Sequence, residues 1–243
     1  MRLTGKRVLV VGASSGIGKA IGLAVAAEGG RVAFAARRTD RLAEAVEAAG
    51  PEAIAVTCDV RDGDRCANAV EQTVDAFGGL DAFVYCAGTS PVRKFLDADV
   101  ALWREVLETN FLGAALIARA AIPHLQASTG RGVFLSSSSV ERPYPALVVY
   151  ATSKAALEEM ARGLRAEHPE IRWSIVVVGP TLDTEISNAW DQDVAAEMFP
   201  IWYSKGYIEE YQDGPMQPSY IAETVLHTLE TPARIDYVSV LPR

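Results

Sequence analysis

A tyrosine and a lysine four residues apart, Tyr150 and Lys154, have the residue types and spacing best suited to acid–base chemistry in this sequence. On a helix, side chains at this spacing are neighbours on one face. A phenol has a pKa near ~10 and is a poor base at neutral pH, but an adjacent ammonium group favours the phenolate and lowers that pKa. The pair is therefore predicted to be a general acid/base unit, although such pairs also occur on ordinary helix surfaces.

A run of serines, 136–139, ends an apolar stretch that precedes this pair. The hydroxyl of Ser137 could donate a hydrogen bond to the carbonyl oxygen of a substrate held beside Tyr150. The same run could instead be only the polar end of a strand, and the residues alone leave both interpretations open.

A glycine-rich turn follows the first apolar run and begins a helical pattern. Its glycines allow a tight turn, and backbone N–H groups at the start of a helix can face a pyrophosphate. The spacing G-x-x-x-G-x-G differs from the common G-x-G-x-x-G pattern. We interpret the turn as a dinucleotide site rather than an ordinary turn. The predicted contacts are Gly12, Ser14, Ser15, Gly16, Ile17 and Gly18.

The second apolar run ends in residues that bear on the choice of cofactor. An acidic residue at this position would bind the ribose 2′-hydroxyl and favour NAD, but the position is held by Ala36. Arg37 and Arg38 follow it, and guanidinium groups suit a 2′-phosphate. NADP(H) is therefore predicted to be preferred over NAD(H), the alternative being a solvated basic corner.

Two further apolar runs end in residues suited to the same ligand. Asp59, which precedes Val60, could accept a hydrogen bond from an adenine amino group, or it could cap the next helix. After the fourth run, Ala87 and Gly88 are small enough for the backbone to pass against a cofactor.

The elements that must position these residues alternate along the chain. Predicted strands cover 7–11, 31–36, 53–58, 82–85, 132–136, 172–178 and 237–241, and predicted helices cover 17–29, 41–49, 62–77, 100–125, 150–168 and 219–229. Strands that are apolar throughout are typical of sheets buried on both faces. We predict an α/β fold, a Rossmann-like doubly wound parallel sheet of about seven strands with helices on both faces, in one domain spanning 1–243. Ligands of such sheets bind at the carboxyl ends of the strands, where the residues above lie.

The stretch 183–217 has no clean period, and segments of this length inside a compact domain are usually functional. We predict a substrate lid that contains short helices. Its aromatic and thioether side chains favour a bulky apolar substrate, with Trp190, Phe199 and Trp202 as contacts. The equally weighted alternative is that they anchor the segment to the core or to a neighbouring subunit.

Charge separates the lid from the rest of the chain. With 23 basic and 31 acidic residues the chain has a net charge of −8, which argues against nucleic-acid binding. The lid has one base, Lys205, and eight acids, a net charge of −7. Such a rim is predicted to repel acyl-CoA and acidic carrier proteins. The acids are Asp183, Glu185, Asp191, Asp193, Glu197, Glu209, Glu210 and Asp213.

Cysteine use and hydropathy set expectations for the compartment. Cys58, Cys66 and Cys86 are an odd number without metal-ligand spacing, so we expect buried thiols and no metal site. The strictly apolar runs are too short to span a bilayer, and no signal-peptide pattern is present. We expect a cytoplasmic protein without a membrane partner.

The pattern formed by the glycine turn, Asp59-Val60, Ala87-Gly88, Asn110, Ser137 and Tyr150-x-x-Ser153-Lys154 resembles the short-chain dehydrogenase/reductase family in order and spacing over essentially the whole chain. The resemblance implies hydride transfer between a nicotinamide and a carbonyl or alcohol carbon. In that scheme Tyr150 protonates the carbonyl oxygen, and Lys154 lowers the tyrosine pKa and holds the ribose. Ser137, thirteen residues before the tyrosine as in the family, orients the oxygen. Asn110 positions a water that relays protons through Lys154.

The resemblance also implies a homodimer or homotetramer formed through helices 100–125 and 150–168. At three places the sequence departs from the family pattern. Val11 replaces a usual threonine, Tyr85-Cys86 replaces two asparagines, and Gly179-Pro180 reverses the usual Pro-Gly. Pro180 is an expected contact of the nicotinamide end, and Thr181 and Thr184 are both available for its carboxamide, with Thr184 the better match. The alternatives are a β-ketoacyl thioester reductase and a non-catalytic NADP(H)-binding regulatory protein.

Overall fold

A computed structural model of the protein describes residues 1–182, 184–207 and 214–243. The strands are β1 (Arg7–Val11), β2 (Arg31–Ala36), β3 (Ala53–Thr57), β4 (Ala82–Tyr85), β5 (Arg131–Ser137), β6 (Arg172–Val178) and β7 (Tyr237–Val240). The α-helices are α1 (Gly16–Ala27), α2 (Thr39–Ala49), α3 (Gly63–Phe77), α4 (Val100–Leu107), α5 (Gly113–Ser128), α6 (Val148–Glu167), α7 (Gln192–Ser204) and α8 (Pro218–Glu230). Two short 3₁₀-helices, Phe95–Asp97 and Glu185–Ala189, and a π-helical turn, Glu108–Leu112, lie between them.

In the described part of the chain, the seven strands form one sheet in the order β3-β2-β1-β4-β5-β6-β7, and every neighbouring pair is parallel. This confirms the predicted fold class. The order reverses between β1 and β4, where Val11 is in register with Ala35 on one side and with Tyr85 on the other. The crevice beside such a reversal, at the carboxyl ends of the strands, is where open α/β sheets bind ligands.

The side chains of β1 show why both faces of the sheet are covered. Val8 and Val10 belong to a core shared with α1 and α8, whereas Leu9 and Val11 belong to a core shared with α3, α5 and α6. Successive side chains of a strand point to opposite faces. A strand that is apolar on both faces therefore needs helices on both sides, as the continuous hydrophobic pattern predicts.

The helix predicted over 100–125 is interrupted by the wide turn Glu108–Leu112. Buried Tyr85 donates a hydrogen bond from its hydroxyl to the Thr109 carbonyl, at 2.6 Å, and so uses a backbone acceptor of this turn. Gly113 follows, and a Cβ there would lie 2.5 Å from the Tyr85 hydroxyl. A side chain that enters the helical hydrogen-bond ladder is a known cause of such irregularities.

The same continuous stretch, Val100–Ser128, is the described helix that is long and apolar enough, by length and composition, to cross a membrane. The core helix of a soluble protein meets the same criterion. Here Ile117, Ala118 and Leu125 of the stretch are buried in the core beneath the sheet.

The segment between β6 and α8 carries the Glu185–Ala189 turn and α7. The Asp191 carboxylate caps α7 by accepting hydrogen bonds from the N–H groups of Asp193 and Val194. Trp202 of α7 packs with Met198 and with residues before α6 in a third apolar cluster, separate from the two cores of the sheet. Of the predicted lid, Asp183 and 208–213 lie outside the described residues, and with them Tyr211, Glu209, Glu210 and Asp213.

Candidate active site

A cavity of about 930 Å³ opens at the carboxyl ends of the strands, and both the glycine-rich turn and residues 184–207 contribute to its wall. Its wall includes the predicted catalytic, cofactor and substrate residues, with the exception of Asn110. The topology thus brings together side chains that are far apart in the sequence.

Tyr150 lies at the start of α6, where its side chain is buried and hydrogen-bonded to the side chain of Ser137. Burial raises the pKa of Tyr150 above its usual value, and the Ser137 hydrogen bond acts in the opposite direction. The Ser137 oxygen also accepts hydrogen bonds from the N–H and hydroxyl groups of Ser139, at 3.2 and 3.0 Å. With both acceptor positions filled, the Ser137 hydroxyl hydrogen is left to donate towards Tyr150 or a substrate oxygen.

Lys154 lies one turn further along α6, and its Nζ donates a hydrogen bond to the Leu135 carbonyl at 2.8 Å. Burial lowers the pKa of Lys154 to about 8, while Cys86 and Glu158 act to raise it. In this structure the pKa of Tyr150 is raised, and the lowering of that pKa by Lys154 stays a prediction. The ammonium is held by Leu135, 5.9 Å from the centre of the tyrosine ring, and desolvation dominates at the phenol.

Asn110 lies in the π-helical turn behind the cavity wall and is fully buried. Its Oδ1 accepts a hydrogen bond from the Thr89 N–H, and its Nδ2 donates to the Thr89 carbonyl and to the Ser153 hydroxyl, all at 2.8 to 2.9 Å. Ser153 in turn donates to the Tyr150 carbonyl at 2.6 Å. The side chain therefore ties the loop after β4 to the catalytic helix, and its part in a proton relay stays a prediction.

Glu158 is a site residue that the sequence pattern did not bring to notice. Tyr150, Lys154 and Glu158 follow one another at intervals of four on one face of α6. The buried Glu158 carboxylate accepts a hydrogen bond from the Ser136 hydroxyl. The neighbours of Ser136 on β5 make the matching contacts, Leu135 with Lys154 and Ser137 with Tyr150. Three consecutive residues of β5 thus fix three successive turns of α6, and the interval of four was the signal available in the sequence.

The glycine-rich turn fits a dinucleotide. Gly12 has φ +85°, and a Cβ there would lie 2.5 Å from the Ala87 nitrogen, while a Cβ on Gly18 would overlap the Gly12 carbonyl. Ser15 precedes α1 without a side-chain capping hydrogen bond, so the first N–H groups of α1 have no capping side chain. Uncapped N–H groups at a helix N-terminus are a ready site for phosphate.

Arg38 lies across this turn, in contact with both of its serines. Its Nη2 donates to the hydroxyl oxygens of Ser14 and Ser15, each at 2.9 Å. Its Nη1 forms an ion pair with Glu185 at 2.6 Å, and the Ser15 hydroxyl donates to the same carboxylate oxygen at 3.0 Å. Arg37 is exposed on the cavity wall beside them. The serine hydroxyls and the guanidinium together form an anion site, which a carboxylate of residues 184–207 fills here.

Asp59 does not cap the next helix, so that alternative is wrong. The N-cap of α3 is Asp62, whose carboxylate accepts from the N–H groups of Asp64 and Arg65. Asp59 instead forms an ion pair with Arg61 at 2.6 Å, which lowers the pKa of Asp59 to about 2. A contact between Asp59 and adenine stays a prediction.

The chain after β6 also contributes to the cavity wall. The Thr181 hydroxyl donates to the Gly179 carbonyl at 2.9 Å, and the Pro180 carbonyl accepts from the Met216 N–H at the same distance. Thr184 lies half-buried on the wall. The contact of Thr184 with a nicotinamide carboxamide stays a prediction.

The rings of Trp190, Phe199 and Trp202 contact one another at centroid distances of 5.3 to 6.2 Å. Trp202 is only 2% exposed and donates from its indole nitrogen to the Pro145 carbonyl at 3.0 Å. It therefore anchors the segment, as the alternative interpretation expected, although it also lines the cavity. Phe199 is 37% exposed and is therefore more available to a substrate than Trp202.

The acidic rim is partly neutralised. Besides Glu185, two acids of the segment pair with bases of the loop after β4, Asp191 with Arg93 and Glu197 with Lys94, each at 2.6 Å. The charge available to repel an acidic substrate is therefore smaller than the sequence count indicates.

These features define a class of protein: a dinucleotide-binding α/β oxidoreductase in which a tyrosine contacts a serine at the strand ends, with a lysine one turn further along the same helix. The sequence pattern of the family described as short chain dehydrogenase matches residues 6–195. The chain belongs to that family. Its members act on alcohol or carbonyl groups of small molecules with a nicotinamide cofactor. Among the described residues, no group of three or more His, Cys, Asp or Glu side chains is placed to hold a metal ion.

Curated relatives include plant proteins named as hydroxysteroid dehydrogenases. The chain is 38% identical over 183 residues to 11-beta-hydroxysteroid dehydrogenase A of Sesamum indicum, covering 73% of this chain but only 53% of the sesame protein. It is 32% identical over 261 residues to 11-beta-hydroxysteroid dehydrogenase 1A of Arabidopsis thaliana, covering 97% and 74%. The chain thus spans about half the length of the first relative and three quarters of the second.

Solved structures show the same fold. A putative short-chain alcohol dehydrogenase from Sinorhizobium meliloti is 30% identical, with a TM-score of 0.84 over 98% of this chain and 95% of that one. An alcohol dehydrogenase from Thermococcus sibiricus, solved with 5-hydroxy-NADP, is 24% identical, with a TM-score of 0.83 over 97% and 95%. At that identity the second likeness concerns the fold alone.

Proposed function

We propose that the protein is an NADP(H)-dependent oxidoreductase that transfers a hydride between the nicotinamide and the carbonyl or secondary alcohol of a neutral, lipophilic small molecule. The observation that carries this proposal is the contact of Ser137 with Tyr150, one turn from Lys154, on the wall of a cavity that also contains the glycine-rich turn. Protein groups held in place around the reacting carbon supply position and charge.

Each residue has a separate task in this proposal. Tyr150 passes a proton to the substrate oxygen, and Ser137 donates a hydrogen bond that orients the same oxygen. Lys154, with a pKa of about 8, holds the nicotinamide ribose and supplies positive charge beside the phenol. Asn110 positions a water that links Lys154 to solvent. The bound cofactor supplies the hydride.

The preference for NADP(H) is supported by the second strand. Ala36 leaves no acid to bind a ribose 2′-hydroxyl, and Arg37 and Arg38 stand beside the turn. The anion site of Arg38 with Ser14 and Ser15 accepts a carboxylate, and a phosphate suits the same donors. We expect Arg38→Ala to weaken binding of NADPH by roughly tenfold and of NADH by much less, since only NADPH carries the 2′-phosphate.

The substrate class is supported by the aromatic wall and by the names of the plant relatives. Trp190 and Phe199 offer flat apolar surfaces on the wall of the cavity that Tyr150 also lines. This suits a polycyclic ketone or alcohol such as a steroid-like or terpenoid compound. A β-ketoacyl thioester reductase remains the second candidate, because the ion pairs of Asp191 and Glu197 remove part of the repulsion expected of the rim.

A single assay tests the proposal. NADPH oxidation and NADP reduction are followed over a panel of steroid-like, terpenoid and aromatic ketones and alcohols and over acyl thioesters, with wild type and Tyr150→Phe. We expect turnover of the polycyclic compounds, a loss of roughly 10²–10⁴-fold in kcat for the variant, and unchanged NADPH affinity. Turnover confined to thioesters favours the second candidate, and an inert wild type that binds NADPH indicates a regulatory protein.

The assembly is also a proposal. We propose a homodimer or homotetramer formed through the stretch Val100–Ser128 and α6. Light scattering that returned the mass of one chain, 26.1 kDa, would contradict it.

A further inference from the structure

Three ion pairs described above join residues 184–207 to the rest of the protein. One of them, Glu185–Arg38, lies among the residues predicted to bind the cofactor. The bases of the other two, Arg93 and Lys94, do not line the cavity, whereas Arg38 does. Glu185, the partner of Arg38, lines it as well. The contact therefore joins the segment that covers the substrate region to the residues that would hold the cofactor phosphate.

The contacts of Glu185 are those of a bound anion. One carboxylate oxygen lies 2.6 Å from the Arg38 guanidinium and 3.0 Å from the Ser15 hydroxyl. The same guanidinium donates to Ser14 and Ser15. The ion pair with Arg38 also lowers the pKa of Glu185, so the group is a carboxylate at neutral pH.

A phosphate and this carboxylate exclude each other. A phosphate monoester has a charge of about −1.5 to −2 at neutral pH, and it would take the same hydroxyl and guanidinium donors. Two anions a few ångströms apart repel, and the Arg38 Nη1 and Ser15 donors that Glu185 holds are not available to a phosphate at the same time. Glu185 must leave Arg38 before a 2′-phosphate can bind there.

We propose that Glu185 is an internal competitor for the 2′-phosphate, which sets the affinity for NADPH and is displaced from Arg38 when NADPH binds. This inference rests on the proposed preference for NADP(H). NADH has no 2′-phosphate, so it leaves the Glu185–Arg38 contact in place. Displacement by NADPH releases the Glu185 carboxylate from Arg38 and Ser15.

Two charge-neutralising variants make a matched comparison. Glu185→Gln removes the competitor, and Glu197→Gln breaks an ion pair of equal length on the same segment, away from the cavity wall. Dissociation constants for NADPH, NADH and 2′,5′-ADP are measured by isothermal titration calorimetry. For Glu185→Gln we expect NADPH and 2′,5′-ADP to bind roughly twofold to fivefold more tightly, the range of an exposed ion pair, and NADH to be unchanged. For Glu197→Gln we expect no change.

The Arg38→Ala background separates this inference from the proposed function. Without the guanidinium there is no shared site, so Glu185→Gln should no longer tighten NADPH binding. Unchanged or weaker NADPH binding by Glu185→Gln in the wild-type background overturns the inference, the weaker result indicating a clamp over bound cofactor. If Arg38→Ala leaves the ratio of the NADPH and NADH dissociation constants unchanged, the proposed role of Arg38 in NADP(H) preference is wrong. Because Glu185 is exposed, its replacement is compatible with folding, which melting curves of both variants check.

Discussion

The Ser136 hydroxyl donates a hydrogen bond to the Glu158 carboxylate, and both side chains are buried. The bond joins the end of β5 to α6 one turn beyond Lys154. A buried carboxylate next to a buried ammonium group also favours the charged form of the lysine. Glu158 thus acts on the site through Lys154 and the β5–α6 contact, without lining the cavity.

Replacing Glu158 should cost stability. Glu158→Leu leaves the Ser136 hydroxyl buried without its acceptor, which costs about 1–3 kcal/mol in the free energy of unfolding. Glu158→Gln keeps an acceptor and should cost less. Urea unfolding measures both, and Glu159→Gln serves as the control because that neighbour is 74% exposed. Equal stability of the Leu variant and the control would show that the bond contributes nothing.

The pH dependence of stability should carry the signature of Lys154. Burial lowers its pKa from 10.5 to about 8 in the folded protein, so between these values the unfolded chain binds one more proton than the native one. Stability contributed by this group therefore rises with pH across that window. We expect the free energy of unfolding of wild type, relative to Lys154→Met, to increase between pH 8 and 10. A difference that is flat with pH would mean that the native lysine titrates normally.

The glycine-rich turn should tolerate no side chain at Gly12. The backbone there has φ +85° and a Cβ would lie only 2.5 Å from the Ala87 nitrogen, so Gly12→Ala strains the backbone and displaces the chain after β4. We expect a loss of about 2 kcal/mol or more in the free energy of unfolding and a loss of cofactor binding. Gly163→Ala is the control: nothing lies within 4 Å of its Cβ, and a helical alanine there should stabilise by about 0.5–1 kcal/mol.

Two aromatic residues of the segment should respond differently to substitution. Phe199→Ala removes exposed apolar surface from the cavity wall and should raise KM for a polycyclic substrate with little change in melting temperature. Trp202→Phe removes the hydrogen bond to the Pro145 carbonyl and should loosen the segment, so protease cleavage within 184–207 should become faster. If Phe199→Ala leaves KM unchanged, the ring does not contact the substrate.

The sequence predicted the sheet closely because each strand consists mostly of apolar residues, and all strand ends agree within one residue. The break in the helix 100–125 was not predictable from periodicity, because it depends on the Tyr85 hydroxyl, which arrives from a strand far away in the sequence. Glu158 went unnoticed for a similar reason. The interval of four from Lys154 was a signal, but a glutamate next to Glu159 resembles a solvated pair, and its partner on β5 is visible only in the fold.

The ion pairs of the acids in 183–217 also could not be predicted from the sequence. The count of acids in 183–217 predicted a repulsive rim, but whether a carboxylate repels a substrate depends on where the nearest base lies. Glu185, Asp191 and Glu197 each meet a base from another part of the chain. Their partners follow β2 and β4, and only the folded topology brings those loops beside the segment.

The apolar cluster under α7 is separate from the two cores that hold the sheet, and this has an evolutionary consequence. Substitutions in α7 can change what enters the cavity while leaving the packing of the sheet untouched. The substrate range can therefore change without destabilising the sheet, because the residues of α7 that line the cavity pack in a different cluster from the residues that hold the sheet. Tyr150 is the exception, since it belongs to that cluster and to the chemistry at once.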